Sequence, residues 1–437
     1  MGDTIMLKKI PDILIKKADE LEDFYKKAYP ELAPLVKQCF LNTIETTVKK
    51  LEDGSYFVIT GDIPAMWLRD SSAQLHPYVK YVREDAYLKE IIKGVIAKQA
   101  ELVCMDPYAN AFKEKADKKG YMYKDETEQN DHVWERKYEV DSLCAPLYLA
   151  YQYWKESGET DVFDQTFYRM LMNIKEVFRT EQDHERSSYH FHRFDCVETD
   201  TLPCDGKGNP VKPTGMTWSG FRPSDDRCIY GYLIPSNMMA VVALHYAEEI
   251  CREVYQDAEL GKEFCSLAAE IEKGIEEYGI VEHPVHGKIY AYEADGAGHH
   301  VLMDDANSPS LLAIPYLGYQ KASHPLYENT RRFILSKDNP YYFEGDLAKG
   351  VGSPHTPHGY VWHIGLTMQA MTSTDREEIL SCLNMIAKTH AGCNYMHESF
   401  DPSKPEEYTR SWFAWANTLF AELMEKLMLE NFWEKDK

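Results

Sequence analysis

At 437 residues the chain exceeds the usual ceiling for one compact core, so it forms either two domains or one large toroidal or barrel architecture. Hydrophobic residues make up 44% and aromatics 13%, with 30 tyrosines and 8 tryptophans, enough to fill a core and to line a polar, stacking-prone cleft. A net charge of -23 argues against nucleic acid or an anionic membrane as partner, since both call for clustered Lys and Arg, and favours a neutral substrate.

The N-terminus, Met1 to Lys9, lacks the basic region, apolar run and cleavage site of an export signal, and no apolar run approaches the roughly 18 residues that span a bilayer. The cysteines are scattered with no C-x-x-C pair, so they are expected to be reduced, mostly buried, and the protein cytoplasmic. Residues 1–29 read as a peripheral helical extension, with a helix from Pro11 to Tyr29. The main pattern begins at Leu32, where Leu35, Val36, Cys39, Phe40 and Ile44 share a helical face predicted to run to Leu51. Asp53-Gly54 is a turn and Tyr56 to Thr60 a strand.

The irregular segment Gly61 to Gln74 carries Trp67-x-Arg69-Asp70. Asp70 either caps the next helix or, with Arg69, binds sugar hydroxyls beside a Trp67 stacking wall. Helices follow at Leu88 to Leu102, Tyr138 to Trp154 and Val162 to Phe178. The polar stretch Asn110 to Asp131 between the first two is a loop bordering the site or a solvated insertion. Asp141, near the start of its helix, is a candidate site residue or a cap.

Little helical pattern remains from Thr180 to Arg227. That stretch contains Thr217-Trp218-Ser219-Gly220-Phe221-Arg222-Pro223-Ser224-Asp225-Asp226-Arg227. Adjacent acids beside arginines and aromatics suit a sugar site: a ring face covers a pyranose, Arg222 holds hydroxyls, and a carboxyl moves a proton at the glycosidic oxygen. Further helices are predicted at Met238 to Ile250 and Glu259 to Tyr278, then an Asp295-Gly296 hairpin that runs into the polar loop with Asn307. Helices at Ser310 to Tyr319, His324 to Leu335, Tyr360 to Met371, Asp375 to Thr389 and Trp412 to Leu427 complete the chain. Between them, His355, His358 and His363 invite a zinc reading, but the intervening Pro and Gly deny a helical ligand face, and a hydrogen-bonding His355 fits better.

About a dozen helices with long polar loops and strands confined to connections fit an all-α closed ring of helical hairpins with the loops gathered at one end, and an open helical array gives the same periodicities. The segments Gly61 to Gln74, Trp218 to Asp226, Gly352 to Pro357 and His397 to Ser399 together resemble glycoside hydrolase family 125, over about Leu32 to Leu427. The resemblance implies an (α/α)6 toroid spanning 1–437, and an inverting, metal-independent exo-α-1,6-mannosidase with no cofactor that acts on α-1,6-linked manno-oligosaccharides. It implies Asp225 as general acid, with Asp226 its adjacent alternative, and Glu398 as base. Trp67, Arg69, Asp70 and His355 fall in matching segments and take pocket roles. Like-charge repulsion from Asp226 is expected to raise the acid's pKa. Three rivals remain: a toroid glycosidase of another specificity, such as an α-glucosidase, a sugar epimerase or isomerase using His355, His358, His363 or His397, and a catalytically silent carbohydrate-binding protein.

Overall fold

In a computed structural model, which describes residues 5–7, 9–118 and 121–434, the amphipathic segments form helices that alternate between two concentric layers. The inner layer contains α3 (Leu68–Leu75) and α5 (Val140–Ser157), then α7 (Ile234–Glu253), α10 (His363–Met371) and α12 (Ala414–Leu429). The outer layer contains α2 (Ala33–Thr46), α4 (Ala86–Met105) and α6 (Gln165–Glu181), then α8 (Ala258–Tyr278), α9 (Pro325–Ile334) and α11 (Arg376–Thr389). The sixth inner position is held by residues 310–319. One axial cavity of about 80 Å³ is lined by side chains from all six inner elements, among them Ser72, Ala145, Met239, Leu317, Met368 and Leu419, so the ring is closed. This is the expected all-α (α/α)6 toroid. Helix α1 (Asp12–Ala28) lies outside the ring against α2 and α12, where buried Tyr25 donates to the Met424 carbonyl at 2.6 Å. Residues 1–4 and 8 of the expected extension lie outside the described residues.

The two layers differ in how their helices begin. Outer helices α4, α6, α8 and α11 start on Asp85, Asp164, Asp257 and Asp375, whose carboxylates accept the first free amides. None of the inner helices has a side-chain cap from its own N-cap residue. Loops close them instead: Leu68 N–H bonds the Asn110 carbonyl, Val140 N–H the Ser219 Oγ, Ile234 N–H the Tyr292 carbonyl, and Ala414 N–H the Thr60 carbonyl. Satisfying buried helix ends this way fixes the loops over the N-terminal mouth of the ring.

Two expectations fail locally. Residues 310–319 are successive turns, with Ala313 N–H on the Ser310 carbonyl and Gly318 N–H on the Pro315 carbonyl. Pro315 lacks an N–H and disfavours helix at the residue before it, while the Asp304 carboxylate draws off the Leu311 and Leu312 amides at 2.9 Å each. The helix predicted to reach Leu51 stops at Thr46, and Val48–Lys50 pairs antiparallel with Tyr56–Val58. The Asp295-Gly296 hairpin is present, with Glu293–Ala294 paired to both His300–Val301 and Tyr232–Leu233.

Candidate active site

The loops over the ring's mouth enclose a cavity of about 140 Å³. Its walls come from the first turns of inner helices (Arg69, Asp70, Trp415), from the extended residues before them (Trp67, Trp362, Phe413), and from Pro223, Ser224, Asp225, Asn307, His355, Glu398 and Arg410. Of the residues expected here, Trp67, Arg69, Asp70, Asp225, Asn307, His355 and Glu398 are brought together. Arg69 and Trp415 also line the apolar axial cavity below, so they form the floor between the two. On the other side Ile63, Trp67, Asp225 and His355 are shared with a wider cavity of about 570 Å³ that opens outward past Lys124, Phe194 and Val197.

Asp225 stands at this junction, its backbone in the left-handed region at φ 68°. Its Oδ1 accepts from Trp67 Nε1 at 3.3 Å and Asn110 Nδ2 at 3.2 Å, and Lys137 Nζ holds its carbonyl at 2.9 Å. Burial acts to raise this carboxyl, but Lys137, a hydrogen bond with Glu139, Arg69 and His355 outweigh it and hold the group below the ordinary aspartate value. The rise expected from Asp226 is not seen at Asp225, whose carboxyl lies below its ordinary value. The Asp226 carboxylate pairs instead with His355 Nδ1 at 3.1 Å. Burial disfavours the charged His355 ring, yet the bond and charge of Asp226, with Glu398 and Asp225, push its pKa up to about 9, so the cavity wall carries an imidazolium at neutral pH.

Across the cavity, Glu398 lies 3.5 Å from Arg410 Nη1. Arg410 is fixed by a close pair with Asp62, Nη2 to Oδ1 at 2.6 Å and Nε to the same oxygen at 3.0 Å.

These features have a counterpart among known proteins. A profile of the family described as metal-independent alpha-mannosidase (GH125) matches residues 29–425. The chain belongs to glycoside hydrolase family 125. A protein of Schizosaccharomyces pombe called meiotically up-regulated gene 157 protein is 38% identical over 449 aligned positions, which cover 97% of this chain and 86% of that one. A solved metal-independent alpha mannosidase of Streptococcus pneumoniae, in a non-productive substrate complex with α-1,6-mannobiose, is 46% identical, with a TM-score of 0.93 over 95% of this chain and 98% of its own. The glucoamylase of Saccharomycopsis fibuligera, at 11% identity and a TM-score of 0.56 over 99% of this chain and 98% of its own, shares the fold alone.

In this family 125 member two expected pocket residues sit behind the wall. Asp141 is fully buried and accepts from Arg69 Nη1 at 2.9 Å, with Ser236 Oγ at 3.3 Å, so it props the arginine that does line the cavity. Arg222 turns away to Glu293 at 2.6 Å, and that same glutamate accepts the Ile229 and Tyr230 amides. Arg222 therefore anchors the loop that presents Asp225. Trp218, from the same motif, is core: its ring stacks on His184 with centroids 3.4 Å apart. Trp412 packs likewise, donating to Thr46 at 3.1 Å, while Trp415, one turn on, reaches the cavity.

Sequence reasoning missed Glu139, Asn110, Lys137 and Arg410. Glu139 and Lys137 flank a helix start whose local pattern reads as an ordinary junction, and their roles depend on contacts with distant loops. Of the four histidines held open for proton chemistry, only His355 lines the cavity. His363 is buried and kept neutral, its pKa pushed down to about 3 by burial and His397, and His397 stacks on Tyr408. Among the described residues one group has metal-ligating spacing, His283 and His286 on the hairpin of 280–290 with Asp338 from the segment after α9. There the His283 Nδ1 lone pair already accepts the Val285 and His286 amides, which closes the turn.

Proposed function

We propose that the chain, 1–437 as one catalytic toroid, is an inverting exo-α-1,6-mannosidase with Asp225 as general acid and Glu398 as general base. The observation that carries this reading is an asymmetry between the two carboxyls. Asp225 borders both the inner cavity and the outer one, whereas Glu398 borders the inner cavity only. A non-reducing mannose in the inner cavity has its glycosidic oxygen at the junction, within reach of Asp225, and its far face toward Glu398. Protonation of the leaving oxygen by Asp225, with water activated by Glu398 on the opposite face, is inverting hydrolysis by two carboxyls. The floor of Arg69 and Trp415 leaves no path for further sugars on the non-reducing side, which supports exo action. The α-1,6 linkage is proposed from the mannobiose held by the 46% identical Streptococcus protein.

Trp67 and His355 form the collar around the scissile bond, and Arg69, Asp70 and Asn307 face the hydroxyls. The His355 imidazolium can donate a hydrogen bond but takes no proton at neutral pH, so it favours hydrolysis over epimerisation. The cytoplasmic assignment is supported by the cysteines, all free, with Cys39, Cys144, Cys228, Cys251 and Cys382 buried as thiols. The test is turnover of α-1,6-mannobiose beside α-linked glucose disaccharides by the wild type, Asp225→Asn and Glu398→Gln. Mannobiose alone is expected to be cleaved, and kcat to fall about 10²–10⁴-fold in each variant. Cleavage of the glucosides, or full activity in either variant, contradicts the reading.

A further inference from the structure

The Arg69 guanidinium touches Glu139 at 2.6 Å, Asp141 at 2.9 Å and Asp70 at 3.3 Å, with Asp225 at 4.0 Å. Four carboxyls thus crowd one cation, and three of them are almost wholly buried. Four carboxylates ionised within 4.0 Å of one guanidinium repel one another where water screens little, which favours retention of a proton in the cluster. Two of the four face a further cation: Asp70 faces Arg410 as well as Arg69, and Asp225, 25% exposed at its side chain, faces Lys137 and His355. Asp141, in the first turn of α5, and Glu139 add only neutral donors to Arg69, Ser236 of α7 for Asp141, and Ser142 at 2.8 Å and Asn110 at 3.3 Å for Glu139. Of these two, Glu139 is the one that Asn110 ties to Asp225. Asn110 Nδ2 spans the two acids, 3.3 Å from Glu139 Oε1 and 3.2 Å from Asp225 Oδ1, and so holds the two carboxyls side by side.

We propose that Glu139 and Asp225 share one proton, and that Glu139 is the positioning residue that holds it for delivery through Asp225 to the leaving oxygen. The inference rests on Asp225 being the acid. It answers a difficulty in that assignment: Asp225, beside Lys137, Glu139 and Arg69, is held below the ordinary aspartate range, where an acid would be empty at neutral pH. Burial drives Glu139 well above the glutamate range, with Arg69 opposing and Asp225 and Asp141 adding to the rise. The charged and titratable groups around the pair are Arg69, Asp70, Asp141, Glu135, Lys137, Cys228 and His355. In the step, the Glu139 O–H bond breaks as an Asp225 O–H bond forms, and the leaving oxygen takes that proton with the electron pair of the C1–O bond. Water bonds to C1 and gives its proton to Glu398. The pair is left ionised and Glu398 protonated, and exchange with solvent restores both.

Glu139→Gln tests this: the side chain keeps its size, its carbonyl oxygen can still accept from Arg69 and Ser142, and its amide, which replaces the oxygen that accepts from Asn110, has no acidic proton to give. The pH profile of kcat/KM is measured on α-1,6-mannobiose, whose sugar alkoxide must be protonated, and on 2,4-dinitrophenyl α-mannoside, whose leaving group needs no proton. On mannobiose a loss of about 100-fold is expected. The alkaline limb should also move to lower pH, since Asp225 alone gives up its proton in acid while the pair keeps one to higher pH. The loss on the aryl mannoside should be at least about tenfold smaller, and Glu139→Asp should recover part of the mannobiose activity. Equal losses on both substrates, or an unmoved limb, overturn the proposal and leave Glu139 as a prop for Arg69. Asp225→Asn, run alongside, tells the two readings apart: retained mannobiose hydrolysis there removes the acid assignment itself.

Discussion

At Asp225 the backbone adopts φ 68°, a conformation that costs a residue with a side chain about 1 kcal/mol and that aspartate tolerates better than most. The turn from Arg222 to Asp226, closed by Arg222 N–H on the Asp226 carbonyl at 2.7 Å, makes use of it by sending two adjacent carboxylates to different tasks. Asp225 faces the cavity and Asp226 holds His355. The His355–Asp226 pair carries a pH signature whose sign follows from the raised pKa. A histidine lifted from 6.5 to about 9 contributes stability that is complete below its unfolded pKa and lost as pH rises through about 9. Asp226→Asn should therefore lower Tm more at pH 6 than at pH 10, as thermal melts at the two values would record; an equal deficit at both contradicts the ion pair. This division of labour was not legible in Asp225-Asp226, because the sequence does not announce a left-handed residue at an aspartate. The acid and base candidates were legible through motif resemblance, whereas Glu139 was not, since a glutamate before an apolar helical pattern carries no local mark of the distant loop it touches.

Among the elements, the inner helices were legible wherever an apolar pattern ran unbroken, and α3 and α12 carry their site residues in the first turn as a consequence of loops that terminate on their free amides. What periodicity concealed was the sixth inner position. Leu311, Leu312, Ile314 and Leu317 are spaced like a helical face and are buried like one. The decisive influences are a proline inside the segment and the carboxylate of Asp304, seven residues before Leu311, which accepts two amides. Asp304 thus acts as a remote cap on a turn-built wall of the ring. Asp304→Ala, which strands two buried N–H groups, should cost about 2–4 kcal/mol in denaturant-induced unfolding. A loss below about 0.5 kcal/mol, the level of an ordinary surface change, contradicts that role.

For the whole molecule, closure of the ring determines what the site can accept. Six inner elements leave a narrow axis, Arg69 and Trp415 divide it into an apolar space of about 80 Å³ below and the polar cavity of about 140 Å³ above, and the side past Trp67 and His355 opens into the wider cavity of about 570 Å³. An α-1,6-mannotetraose labelled at its reducing end is therefore expected to shorten one sugar at a time, to labelled trimannose before labelled dimannose. Labelled dimannose appearing directly would mean internal cleavage and an open-ended cleft. The all-α ring itself was legible from helix count and loop composition, because alternating amphipathic helices with polar connections have few ways to bury their faces. The floor was not, since it depends on Trp415 pointing inward from the first turn of α12 while Trp412, on the same predicted helical stripe, precedes the helix and turns to Thr46.

The measurement that bears most directly on the central claim is proton NMR of the first turnovers of α-1,6-mannobiose by the wild type, Asp225→Asn and Glu398→Gln. Expected is β-mannose as the first anomer released from the non-reducing end, with the signal lost from both variants. α-Mannose appearing first, or turnover persisting in either variant, would contradict an inverting reaction carried by these two carboxyls.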